Sequence, residues 1–201
     1  MISNLLDFDR QFGEVVVGVD EAGRGPLAGP VVSAAASIRR YEPYMDAIND
    51  SKKISAKKRI EIFNLLIDEI DYGVGVVDNT TIDNINILEA TFKSMREALT
   101  QINTKAPVIL VDGRMTIRGL PSVNQKAIVR GDGKSLSIAA ASIIAKVTRD
   151  KIMEELHQQY PNYDFINNKG YGTKKHIELI REYGPSPVHR MSFLRGIIGN
   201  S

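Results

Sequence analysis

Val15-Val16-Val17-Gly18-Val19 runs directly into Asp20-Glu21, and then into Ala22-Gly23-Arg24-Gly25-Pro26. Few folds accept such a stretch. A β-branched apolar run bounded by glycines reads as a strand buried on both faces. Its carboxyl end delivers Asp20 and Glu21 to the edge of a crevice, where open α/β sheets bind ligands. Two adjacent acids beside a buried strand repel each other unless something cationic neutralises them. Adjacent strand residues also point to opposite faces, so the pair is expected to serve one site only if the strand ends between them or bulges there.

The rest of the chain supplies what such a strand needs. Pro30 to Ile38 reads as a second strand, turned back antiparallel by the glycine- and proline-rich loop. Ser55 reads as the cap of a helix with a stripe of Ile60, Phe63, Leu66, Ile67 and Ile70, and with Lys57, Lys58 and Arg59 outside. Gly73 to Val77 reads as a strand, and Asp83 to Ile102 as a helix burying Ile87, Leu88, Phe92, Met95 and Leu99. Pro107 to Val111 is a short apolar strand ending in Asp112-Gly113, an echo of the first. Val123 to Val129 is strand-like and runs into Gly131-Asp132-Gly133. A long helix over Ser137 to Gln159 follows, stopped by Pro161. Two short helices, Thr173–Tyr183 and Met191–Ile198, flank Gly184-Pro185-Ser186-Pro187. This order predicts an α/β fold, a mixed sheet covered by helices. No repeat or linker divides the 201 residues, so one domain over 1–201 is expected.

Four acids, Asp20, Glu21, Asp112 and Asp132, thus fall at or just beyond predicted strand ends. Hard oxygen ligands suit Mg²⁺ or Mn²⁺, and two such ions about 4 Å apart can drive phosphodiester hydrolysis. No cysteine is present, and His157, His176 and His189 are scattered along the sequence, which gives thiol, histidine-nucleophile or zinc chemistry little support. A net charge of +2 means that nucleic-acid binding would need a local basic face rather than bulk charge. Lys169, Lys174, Lys175 and His176 around Tyr171, preceded by Tyr160, Tyr163 and Phe165, form such an interleaved patch. The longest apolar run, Ile138 to Ala145, is too short to span a bilayer, and residues 1–14 lack a signal-peptide core. A cytoplasmic monomer with no membrane association is expected.

Asp20-Glu21-Ala22-Gly23-Arg24-Gly25-Pro26 closely resembles the signature of ribonuclease HII, the type 2 ribonucleases H. Asp50-Ser51-Lys52-Lys53, Ile87-Leu88, Val111-Asp112-Gly113, the run Ala140 to Asp150, and Lys169-Gly170-Tyr171-Gly172-Thr173 extend the resemblance from about Val15 to about Gly196. It implies the ribonuclease H-like fold, with residues 162–201 as a helical appendage completing a substrate groove. It also implies two Mg²⁺ or Mn²⁺ ions held by Asp20, Glu21, Asp112 and Asp132, with Asp20 bridging. The implied partners are RNA–DNA hybrids and duplex DNA containing ribonucleotides. Gly23, Arg24 and Gly25 would meet a ribose 2′-hydroxyl, the group that distinguishes RNA from DNA. Tyr171 would lie under the next, deoxyribose, sugar. Ser51, Lys52 and Lys53 match phosphate contacts, and Lys174 and Lys175 are expected to add others. Where the family pattern has a second basic residue after Arg190, this chain has Met191.

Other readings fare worse. A dinucleotide-binding loop needs a helix directly after its glycines, and here Pro26 and Pro30 intervene before a strand. A phosphate-binding loop ending in Gly133-Lys134-Ser135 would need glycine where Ile128 stands. A non-catalytic nucleic-acid-binding module of the same fold would gain nothing from four acids facing phosphates.

Overall fold

The computed structural model describes residues 4–48, 55–105, 108–120 and 124–198. Five strands form one sheet in the order β3-β2-β1-β4-β5. They are β1 (Val16–Ala22), β2 (Val31–Ile38), β3 (Ile70–Val77), β4 (Val108–Asp112) and β5 (Gln125–Ile128). β1 is antiparallel to β2, and β2 to β3, while β1–β4 and β4–β5 are parallel. The sheet is therefore mixed, with the valine-rich strand at its centre.

Helices cover both faces. On one lie α1 (Asn4–Arg10), α2 (Ala56–Leu66) and the long α4 (Leu136–Gln159), whose small residues Ala139, Ala140, Ala141 and Ala145 are buried against the sheet. The approach of α4 is close enough that a Cβ on Gly18 would lie 2.2 Å from the Ile138 amide nitrogen. α3 (Asn79–Leu99) covers the other face, packing Phe92, Met95 and Ala98 on Val17, Val19, Ile109 and Val111. The tail supplies α5 (Phe165–Asn168), α6 (Lys174–Tyr183) and α7 (Met191–Leu194), gathered around Leu27, Met153, Tyr163, Phe165 and Ile180. Side-chain oxygens of Ser55, Ser135 and Thr173 cap α2, α4 and α6 by accepting from backbone amides.

Several sequence expectations need correction. The buried stripe of α2 is Ile62 and Leu66; Ile60 is exposed and Ile70 belongs to β3. α3 begins four residues earlier than expected, capped by Asp78, and is broken at Asn86, whose φ of 65° is left-handed. Asn86 Oδ1 accepts from the Leu88 and Glu89 amides, so it restarts the helix as a second cap. Residues 43–48, for which the sequence pattern gives no element, form a 3₁₀ turn that buries Met45 and Ile48. α7 ends at Leu194 rather than Ile198. Among the described residues no helix is long and apolar enough to cross a membrane.

Candidate active site

Strand alternation explains half of the acidic cluster. Asp20 follows Val16 and Gly18 on the face covered by α4, and Asp112 follows Val108 and Leu110 on that same face of the parallel neighbour β4. Pairing between the two strands stops at Val19 and Val111, so both carboxylates sit just beyond the last shared rung. Gly131 donates its amide to Asp112 Oδ1 at 2.6 Å, which ties the Gly131–Gly133 turn, and with it buried Asp132, to the end of β4.

Glu21 corrects the expectation of a break or bulge. β1 stays paired with β2 through Asp20–Ala34, Glu21–Ser33 and Ala22–Val32 without interruption. Both acids nevertheless line one cleft of about 510 Å³, together with Asp112. The reason is the edge: past Val19 the strand has no β4 beside it, and the cleft opens around its free side. Asp20 also folds forward, its Oδ1 accepting from the Glu21 amide at 2.8 Å. Asp132 does not line this cleft.

Burial of Asp20 and the charges of Glu21 and Asp112 push its carboxyl up to about 8, against the pull of Ser142 and Lys146 on α4. Glu21 is raised too, chiefly by burial, with Arg24 opposing from 3.3 Å. Such a concentration of hard, mutually repelling oxygens suits a divalent cation. Among the described residues, no three His, Cys, Asp or Glu side chains form a ready-made metal cage. Mg²⁺-type sites take few protein ligands, because waters and substrate oxygens fill most positions.

The glycine loop forms the cleft's next wall. Gly23 has φ of +92°, and a Cβ there would lie 2.0 Å from Arg149 Nε. Two buried guanidiniums hold this loop. Arg190 donates to the carbonyls of Gly23 (2.7 Å), Arg24 (3.1 Å) and Gly29 (2.9 Å). Arg149 donates to Ala28, Pro30 and Lys169. Burial lowers both, to about 9 and about 10, which leaves them charged at neutral pH. Tyr171, about half exposed, faces the loop: a Cβ on Gly25 would lie 3.8 Å from its ring, and the Arg149 guanidinium lies 5.9 Å from the ring centre.

The remaining sequence candidates are distributed differently. Lys174 and Lys175 sit on the first turn of α6, outside the cleft, with Lys175 2.6 Å from Asp164. Ser51, Lys52 and Lys53 lie outside the described residues. Tyr163 and Phe165 are core residues, and His176 is fully buried, so none of the three belongs to a basic surface. His176 and His189, scattered in sequence, meet at 3.1 Å. Sequence reasoning missed Lys146, Arg149 and Asp150, which line the cleft from α4, and Arg59, 3.3 Å from Asp150. The spacing of Ser142, Lys146 and Arg149/Asp150 on one helical face was the available signal.

Known proteins are similar to this chain in sequence and in fold. The family model for ribonuclease HII matches residues 17–196. The ribonuclease HII of Endomicrobium trichonymphae is 50% identical over 200 residues, covering 96% of this chain and 93% of that protein. Among solved structures, the ribonuclease H2 of Pyrococcus horikoshii OT3 superposes with a TM-score of 0.72 at 31% identity, covering 92% of this chain and 97% of that one. Bst-RNase HIII in complex with Mn²⁺ shares the fold, with a TM-score of 0.71 at 19% identity over 92% of this chain and 69% of its own. The chain belongs to the ribonuclease HII family, and with that family it is an endoribonuclease of RNA–DNA hybrids.

Proposed function

We propose that this protein, besides cutting the RNA strand of hybrids, incises duplex DNA on the 5′ side of a single embedded ribonucleotide, leaving 3′-hydroxyl and 5′-phosphate ends. The observation that carries this is one cleft holding the carboxylates of Asp20, Glu21 and Asp112 beside Gly23–Gly25 and Tyr171. Asp20, Glu21, Asp112 and Asp132 would hold two Mg²⁺ or Mn²⁺ ions. When bound, such ions supply an activated water and neutralise charge on the phosphodiester.

The chain's own residues do the recognition. Backbone groups of Gly23, Arg24 and Gly25 meet the ribose 2′-hydroxyl, and the missing side chains allow that approach. Tyr171 lies under the following sugar, where a deoxyribose fits and a second 2′-hydroxyl clashes, so the pair reads a ribose-to-deoxyribose junction. Arg24 holds Glu21 in the free protein and reaches a phosphate in the complex. Lys174 and Lys175, and Ser51, Lys52 and Lys53, contribute backbone contacts on either side. On this reading the protein acts in ribonucleotide removal from DNA, as a cytoplasmic, single-domain monomer.

End-labelled cleavage of two duplexes tests the reading, one with a single ribonucleotide and one a long hybrid, in Mg²⁺, Mn²⁺ and EDTA. Both should be cut with metal and neither in chelator. Tyr171→Ala should lose roughly 5- to 100-fold on the single-ribonucleotide duplex, the worth of one stacked aromatic, and far less on the hybrid. A wild-type protein that cuts hybrids but leaves the single ribonucleotide intact would refute it.

A further inference from the structure

Behind Tyr171, two buried histidines form a chain whose ends have fixed hydrogen-bonding character. The Ser186 amide nitrogen lies 2.9 Å from His189 Nδ1, with Ser186 Oγ at 2.8 Å. His189 Nε2 lies 3.1 Å from His176 Nε2, and His176 Nδ1 lies 2.8 Å from the Tyr171 carbonyl oxygen. An amide N–H can only donate, so His189 Nδ1 is bare and its proton sits on Nε2. That N–H donates to His176 Nε2, which is therefore bare. The His176 proton sits on Nδ1 and donates to a carbonyl, which can only accept.

Only this arrangement satisfies every contact. Moving either proton, or adding one, sets two N–H groups against each other or leaves the carbonyl facing a bare nitrogen. The rings are 0% and 1% exposed, with the Phe165 and Tyr163 rings edge-on against them at 5.5 and 4.9 Å, so no water can repair a mismatch. Burial pushes both imidazoles below their ordinary range, His189 to about 4, which keeps them neutral at physiological pH.

The chain ends where the main chain most needs fixing. Gly170, with φ of +82°, and Gly172 flank Tyr171 and would leave its backbone loose. Instead the Tyr171 carbonyl accepts from both His176 and the Thr173 amide, while its own N–H donates to Asn168. We propose that His189 and His176 are positioning residues that orient Tyr171 for junction reading, through one fixed pair of tautomers running from Ser186 to the Tyr171 carbonyl. This rests on the reading of Tyr171 as the sugar-stacking residue.

Two measurements test it. In ¹⁵N-histidine-labelled wild-type protein at neutral pH, one buried ring should carry its proton on Nε2 alone and the other on Nδ1 alone. Two rings in the same tautomer, or a charged ring, would overturn the proposal without any variant having to fold. Cleavage kinetics then compare wild type, His176→Leu, Tyr171→Ala and the double variant on both duplexes. His176→Leu should raise KM for the single-ribonucleotide duplex roughly fivefold, the worth of one hydrogen bond, with a much smaller change on the long hybrid. His176→Asn, which keeps a donor at the Nδ1 position, should recover part of that loss. In the Tyr171→Ala background His176→Leu should add nothing. Additive losses, or equal losses on both substrates, would mean a merely structural histidine and overturn the relay alone. A Tyr171→Ala variant as active as wild type on the single ribonucleotide would overturn the stacking reading and the relay with it.

Discussion

Asp20→Asn should make the metal-free protein more stable while abolishing its activity. A buried carboxyl raised to about 8 is protonated in the folded state at pH 7 but ionised in the unfolded chain, where its value is 3.8. The stabilisation that protonation supports is complete below pH 3.8 and is lost as pH rises through 8. At about 1.4 kcal/mol per pH unit, the loss is about 2 kcal/mol at pH 5 and about 4 at pH 7, and it levels off above pH 8. Asparagine has no such dependence and keeps an acceptor for the Glu21 amide. Urea unfolding in EDTA at pH 5, 7 and 8 should therefore show a gap in favour of the variant that widens with pH. Saturating Mg²⁺ at pH 8 should then stabilise wild type and not the variant, closing the gap. A gap that does not change between pH 5 and pH 8 would refute the argument.

Three further outcomes are expected. Because His189 stays neutral in the fold down to about pH 4, stability should fall by about 3 kcal/mol as pH drops from 6.5 to 4; in His189→Gln, urea midpoints should show that much less dependence over the same window. Arg190→Lys gathers its donors on one nitrogen and cannot span the three carbonyls that three guanidinium nitrogens reach, so it should cost about 3 kcal/mol, read by denaturant unfolding. Gly18→Ala drives a methyl into the backbone of α4 and should cost about 3 kcal/mol, seen as a drop in Tm with no change in metal requirement.

Much of this architecture is written locally. The valine run, the serine and threonine caps and the breaks at Pro161 and Gly184 act within a few residues, and the elements appear where those signals fall. Asp20 and Asp112 were legible as a pair because each ends an apolar strand and strands of that composition lie side by side. Glu21 was harder, since the period of two argues against it; only the missing neighbour beyond Val19 lets both acids reach one cleft. The phase of α2 slipped because Ile60, Ile62, Phe63 and Leu66 permit two helical stripes, and only the sheet selects Ile62. Arg149 and Arg190 were illegible as loop supports, because an arginine ordinarily reads as surface charge and the carbonyls they hold between Gly23 and Pro30 lie 119 to 167 positions away.

The reach of Arg190 back to Gly23, across 167 positions, bears on how the enzyme matures during synthesis. β1 and β2 can pair as soon as they leave the ribosome, but β4 begins about 70 positions after β2 ends, and the guanidinium that seats the glycine loop comes 167 positions after Gly23. At about 5–20 residues per second, a nascent chain therefore spends seconds with its acids exposed and its ribose-reading loop unseated. A chain stalled before Arg190 carries a glycine loop whose carbonyls still lack the guanidinium that holds them.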